Sequence, residues 1–184
     1  MRSRVFALCG ILLAMVFVVG CSGSTPVSPS VAPSQAASTT PLRVPVPLVG
    51  EASGQTWEVP GACAGPPVHA RTISEATGTF THLGQTTLRS EHCFVGPNPD
   101  GTLLFAGTAM LRGSDGDEIH GTYSGSTFPP TGPGRIETTA SFVITGGTGR
   151  FADASGQAQG EIVVTITQPG PAAIHFLVKG SIVY

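Results

Sequence analysis

The final twelve residues of the chain, Ala173–Tyr184, alternate: Ile174, Phe176, Val178, Gly180, Ile182 and Tyr184 form one set, and Ala173, His175, Leu177, Lys179, Ser181 and Val183 the other. A period of two sends successive side chains to opposite faces of a strand, so this run reads as β. The same alternation recurs in Ile136, Thr138, Ala140, Phe142 and Ile144 and in Ile162, Val164 and Ile166, with no helical stripe of comparable strength. Between the runs lie turn signals at Asn98-Pro99-Asp100-Gly101, Ser114-Asp115-Gly116-Asp117, Gly146-Gly147-Thr148-Gly149 and Gln168-Pro169-Gly170-Pro171.

The pattern predicts about eight strands, near 48–58, 68–74, 76–83, 85–95, 102–112, 117–125, 134–145 and 157–184, the last long enough to hold a hairpin of its own. Many short strands at even spacing suit a sandwich or a barrel. Hairpin connections lead naturally to an up-and-down order. Glycines inside the strand patterns (Gly78, Gly107, Gly121, Gly160, Gly180) allow the sheet to bend or pack closely. Closure would also remove unpaired edges. The expected fold of 46–184 is therefore an all-β, eight-stranded antiparallel up-and-down barrel.

The N-terminus carries a different kind of information. Arg2 and Arg4 precede the apolar run Val5–Val19, which is short of the roughly 20 residues that span a bilayer and has the layout of an export signal. The run closes on Val18-Val19-Gly20-Cys21, which resembles the lipobox of bacterial lipoprotein precursors. That resemblance implies a signal peptide over 1–20, cleavage before Cys21, and a diacylglyceryl group on the Cys21 thiol, often with acylation of the new amino terminus. Two or three acyl chains would hold the protein stably to the membrane on the extracytoplasmic side of the cell envelope. An ordinary secretory signal followed by an unrelated cysteine is the alternative.

Loss of the signal removes Arg2 and Arg4, leaving seven of nine basic residues against eleven acidic ones, a net charge of −4 with His neutral. No basic patch remains to neutralise a phosphate backbone, so a nucleic-acid partner is not expected. Residues 21–45 are dominated by Ser, Thr, Pro and Ala, with Arg43 their only charge. Such a segment buries too little apolar area to offset its ordering entropy and is expected to be a disordered tether, with a coil reach of roughly 25–30 Å. Once Cys9 leaves with the signal and Cys21 is acylated, Cys63 and Cys93 are the remaining thiols in an oxidising compartment, and a disulfide between them is expected. Two separate thiols are the other possibility.

Two further stretches carry a resemblance. Gly78-Thr79-Phe80-Thr81-His82-Leu83-Gly84, followed by Thr86-Thr87 and His92-Cys93, resembles a pattern of small exported bacterial proteins. Ile144-Thr145-Gly146-Gly147-Thr148-Gly149-Arg150-Phe151 with Ala154-Ser155-Gly156 is similar to a signature of those proteins and, more distantly, of plant dirigent proteins and allene oxide cyclase barrels. The resemblance implies a calycin-like eight-stranded barrel over most of 48–184. It also allows an isomerase or cyclase acting on an apolar substrate, although fold does not decide function.

The glycine signature has a structural explanation: a reversal with positive φ, after which Phe151 returns to the apolar interior. It has neither the Gly-Lys-Ser/Thr of a P-loop nor a βαβ context. Among the histidines, His82 and His92 with Glu91 invite a metal or acid–base reading. Yet the two histidines are not directly opposed across a turn near residue 84, and Glu91 and His92 face opposite ways. Each ring is expected to hydrogen bond a backbone carbonyl or rim water. His120, near Asp117 and Glu118, is expected to be solvated, and His69 and His175 show no partner. No nucleophile elbow or zinc-protease motif is present; neither a catalytic residue nor a cofactor is assigned. Three function classes follow: a lipid-anchored, non-catalytic binding or envelope module, an enzyme-like barrel for an apolar small molecule, and a surface protein-contact module. The anchor, tether and low charge favour the first. A wide cavity would favour a small-molecule ligand, and a filled interior would favour protein contact.

Overall fold

A computed structural model describes residues 43–64, 70–129, 132–167 and 170–184. The expected signal peptide 1–20, the expected lipidation site Cys21 and the part of the expected tether before residue 43 lie outside them, as does His69. Eight strands follow one another: β1 (Val46–Pro60), β2 (Ala70–Phe80), β3 (Gly84–Pro97), β4 (Leu103–Gly113), β5 (Glu118–Thr127), β6 (Gly134–Gly147), β7 (Ser155–Ile166) and β8 (Ala172–Val183). Each pairs antiparallel with the next, and β8 pairs with β1, so the sheet closes into an up-and-down barrel. The all-β barrel expected from the alternation is the fold observed.

The alternation also assigns the faces. Ile174, Phe176, Val178 and Ile182 on β8 are buried inside, whereas His175, Lys179 and Ser181 face outward. One strand boundary differs from the sequence reading, and one expected hairpin is present. The stretches 68–74 and 76–83 are not separate strands; β2 runs unbroken through Glu75, because Ser74, Ala76 and Phe80 keep one inward phase and no turn residue interrupts them. The long run 157–184 is the hairpin of β7 and β8.

The two ends of the barrel are built differently. At one end the interior is filled: Leu48, Phe80, Leu83, Phe151 and Ile182 are almost wholly buried and belong to one apolar cluster. The glycine signature forms this end. Gly146 and Gly149 adopt positive φ, Gly147 does not, and a short 3₁₀ turn at Gly149–Phe151 returns Phe151 to the core at 0% exposure. Arg150, beside it, joins three loops. Its Nη2 donates to the His82 carbonyl and to Asp115 Oδ2, both at 2.7 Å, and its Nε lies 3.2 Å from Asp117 Oδ2. The guanidinium also sits 5.0 Å from the Phe151 ring centre. His82 completes the closure: at φ 69° in the β2–β3 turn, its Nε2 lies 2.9 Å from the Pro47 carbonyl and its Nδ1 3.2 Å from Tyr184 Oη.

At the opposite end the disulfide Cys63–Cys93 joins the β1–β2 connection to β3, with 5.9 Å between the Cα atoms. Arg71 packs alongside, donating from Nη2 to the Ala62 carbonyl at 3.4 Å and pairing with Glu91 at 3.4 Å. The expected pairing of the two cysteines is therefore present, and it secures a loop at the rim of the end that is not filled.

Candidate ligand cavity

The end of the barrel that carries the β1–β2, β3–β4, β5–β6 and β7–β8 connections contains a cavity of about 920 Å³. Pockets of roughly 300–1,000 Å³ accommodate drug-sized ligands. The hollow arises from side-chain size. At this level β1, β2 and β3 turn Thr56, Ser74 and Ser90 inward, all buried, where the filled end has Leu48 and Phe80.

The lining is mostly apolar, with polar groups concentrated on one side. Ile136, Ile162, Val164, Ile174 and Phe176 come from β6, β7 and β8, and across from them Thr56, Thr72, Ser74, Ser90 and His92, from β1, β2 and β3, form a polar wall interrupted by Phe94 and Phe105. Arginine and lysine are absent from the described lining residues, and Glu58, exposed at the rim, is the one carboxylate among them. The described lining residues thus hold no fixed cation.

The polar wall has two levels. On the first, Thr56, Ser74 and Ser90 are consecutive register partners across β1, β2 and β3. Ser74 Oγ donates to Thr56 Oγ1 at 3.0 Å, and Thr56 Oγ1 donates to the Ile73 carbonyl at 3.1 Å. This chain runs away from Ser90. The Ser90 hydroxyl is left without a hydrogen-bond partner among the described residues although the residue is only 3% exposed. A buried hydroxyl without a partner costs about 1–3 kcal/mol, so such a group calls for an explanation.

On the second level, Thr72, His92, Gly107, Tyr123 and Phe142 are successive register partners on β2 to β6. His92 Nδ1 and Tyr123 Oη share a hydrogen bond of 2.7 Å, although their strands are separated by β4. Gly107 makes this reach possible. The His92 ring is packed edge-on against Phe94 and tilted over Phe105 at 4.8 Å between centres, while Tyr123 stacks on Phe142 at 5.2 Å. Burial holds the imidazole down at about 4, so it is neutral at pH 7. Burial likewise pushes the Tyr123 phenol up to about 12, against a smaller opposing influence from Ser90; Ser90 Oγ is near the phenol, but the pair does not meet hydrogen-bond geometry. A neutral imidazole offers one donor and one acceptor nitrogen. With Nδ1 engaged, Nε2 has no partner among the described residues and is not sealed from the cavity that His92 lines.

His82 and His92 are not brought together: His82 closes the filled end and His92 lines the cavity. His82 bonds a backbone carbonyl as expected, whereas His92 bonds the Tyr123 phenol in place of a carbonyl or rim water. Glu91 faces away from the cavity and pairs with Arg71. His120 is partly exposed and lies 2.8 Å from Glu118, and His175 meets Ser53 Oγ at 2.9 Å on the outer face. The described residues contain no group of three or more acidic, His or Cys side chains arranged to hold a metal. The sequence reading did not single out Thr56, Ser74, Ser90 or Tyr123. Their signal was a polar residue on the inward phase of a strand. Comparison with protein-family models and with curated proteins finds no match for this chain.

Proposed function

We propose that this protein is a lipid-anchored, exported β-barrel that binds an amphipathic small molecule in the open end of the barrel without converting it. The observation that carries the reading is the cavity of about 920 Å³, mostly apolar with hydroxyl and imidazole groups gathered on β1 to β3, in a barrel whose opposite end is filled by its own side chains. The anchor is the acylated Cys21 and the tether is 21–45, both proposed from the lipobox-like Val18-Val19-Gly20-Cys21 and the Ser/Pro/Thr composition. In this reading the tether holds the ligand-binding domain 46–184 clear of the lipid headgroups.

Binding without conversion is favoured over a barrel isomerase by the two titratable groups themselves. General acid–base catalysis is most effective when a group's pKa lies near the working pH. Burial moves His92 and Tyr123 the other way, leaving a weak base at about 4 and a weak acid at about 12. A protein-contact module, the remaining class, does not account for the cavity.

The test is native mass spectrometry of the full chain with extraction of any co-purified compound, alongside Ile174→Trp, which places an indole in the cavity. A bound small molecule lost in Ile174→Trp is expected. A chain that captures no compound from a panel of neutral and charged amphiphiles, with or without that change, overturns the binding reading. For the anchor, Cys21→Ser should release the protein from the membrane fraction; retention without a lipid-labelled product overturns it.

A further inference from the structure

We infer that Ser90, His92 and Tyr123 form a head-group subsite for an uncharged hydroxyl or carbonyl compound, so that the ligand is a neutral amphiphile and not a fatty acid or other anion. The inference rests on the binding reading and specifies its ligand. Ser90 lines the cavity, and its hydroxyl is unpartnered among the described residues but itself covered, so that it reaches a ligand by turning about the Cα–Cβ bond into that space. One strand position-pair further along β3, His92 presents Nε2 to the same space, its other nitrogen held by Tyr123 at 2.7 Å. A serine hydroxyl both donates and accepts, and Nε2 does either according to the tautomer that the Tyr123 bond selects. The two groups together match a single hydroxyl, which needs a donor and an acceptor, or a carbonyl, which accepts from either.

Charge argues against an anionic head. A carboxylate drawn into this wall would lose its hydration without meeting an arginine, a lysine or a charged imidazole among the described lining residues, and Glu58 at the rim would repel it. The facing wall of Ile136, Ile162, Val164 and Phe176 takes the apolar body.

The experiment compares octan-1-ol and octanoate at pH 7, titrated into the full chain carrying Cys21→Ser so that no acyl chain of its own occupies the cavity. Trp57, the single tryptophan and part of the cavity lining, reports binding by fluorescence. Octan-1-ol is expected to bind at least about tenfold more tightly than octanoate. Loss of one hydrogen bond weakens binding by about fivefold, so Ser90→Ala and His92→Phe should each weaken the alcohol by about that factor and change octanoate less. Circular dichroism identifies any variant that fails to fold, and the other variant then carries the comparison. Octanoate binding as tightly as octan-1-ol overturns the neutral-ligand inference and leaves the cavity reading standing. An alcohol affinity unmoved by either folded variant overturns the subsite. Binding of neither compound overturns the inference and counts against the cavity reading as well.

Discussion

His92 on β3 and Tyr123 on β5 lie on strands that do not pair, yet their side chains are hydrogen bonded at 2.7 Å, because Gly107 on β4, the register partner of both, puts no side chain between them. A Cβ at Gly107 would collide with the Glu91 carbonyl and with the Cα and Cβ of His92. Gly107→Ala should therefore push β3 from β4 and part the His92–Tyr123 pair. Overpacking of this kind costs typically about 1–3 kcal/mol. Thermal unfolding should show the loss, and near-UV circular dichroism should show a changed aromatic cluster; an unchanged melting temperature would contradict the close approach.

The neutral state of His92 has a pH signature. Its folded pKa of about 4 lies below the ordinary 6.5, so between these values the unfolded chain binds a proton that the folded chain refuses. Stability is then full above about pH 6.5 and falls as pH drops towards 4, by up to roughly 3 kcal/mol, with no further loss from this group below 4. Other groups titrate in the same window, so the measurement is a difference. Urea unfolding of the native chain and of His92→Gln between pH 4 and 7 should give a steeper slope for the native chain. Parallel slopes would show that His92 is not held neutral by burial.

Cys63–Cys93 closes a loop with a sequence separation of 30 at the rim of the cavity. On the chain-entropy model such a bridge stabilises the fold by about 3–4 kcal/mol. The double change Cys63→Ala, Cys93→Ala should lower stability by about that amount in denaturant titration, and reduction of the native protein should reproduce it. Native-like stability in both would mean the rim loop is ordered independently of the bridge.

Arg150 acts only at the filled end, where it ties the β2–β3, β4–β5 and β6–β7 loops. Its side chain is 45% exposed and its partners are partly exposed, so the network is screened by solvent and Arg150→Ala is expected to cost about 1–2 kcal/mol. Octan-1-ol affinity should stay unchanged, since the cavity lies at the other end. A large loss of affinity in a folded Arg150→Ala chain would show that the two ends are coupled.

What the sequence alone determines here is periodic and local. Ile174, Phe176, Val178 and Ile182 declare an inward face because their spacing matches the pleat, and the Gly146–Gly149 signature declares a reversal because only glycine is at ease at those φ values. The lipobox-like Val18-Val19-Gly20-Cys21 and the Ser/Pro/Thr-rich stretch 21–45, proposed as anchor site and tether, are also local patterns, written in consecutive residues. The continuity of β2 was legible as well, since Ser74-Glu75-Ala76 offers no turn chemistry and keeps the inward phase, and pairing along both neighbours shows it to be one piece.

Whether the barrel is hollow, and what its wall presents, depended on which side chains closure places at one level. Thr56, Ser74 and Ser90 are far apart in the chain and individually ordinary; together, on adjacent strands, they leave a void and an unpartnered hydroxyl. His92 and Tyr123 are 31 residues apart and meet only because the register sets Gly107 between them. Periodicity assigns a residue to a face, but its height around a closed barrel follows from the accumulated stagger of every strand before it, and that stagger is a property of the tertiary structure.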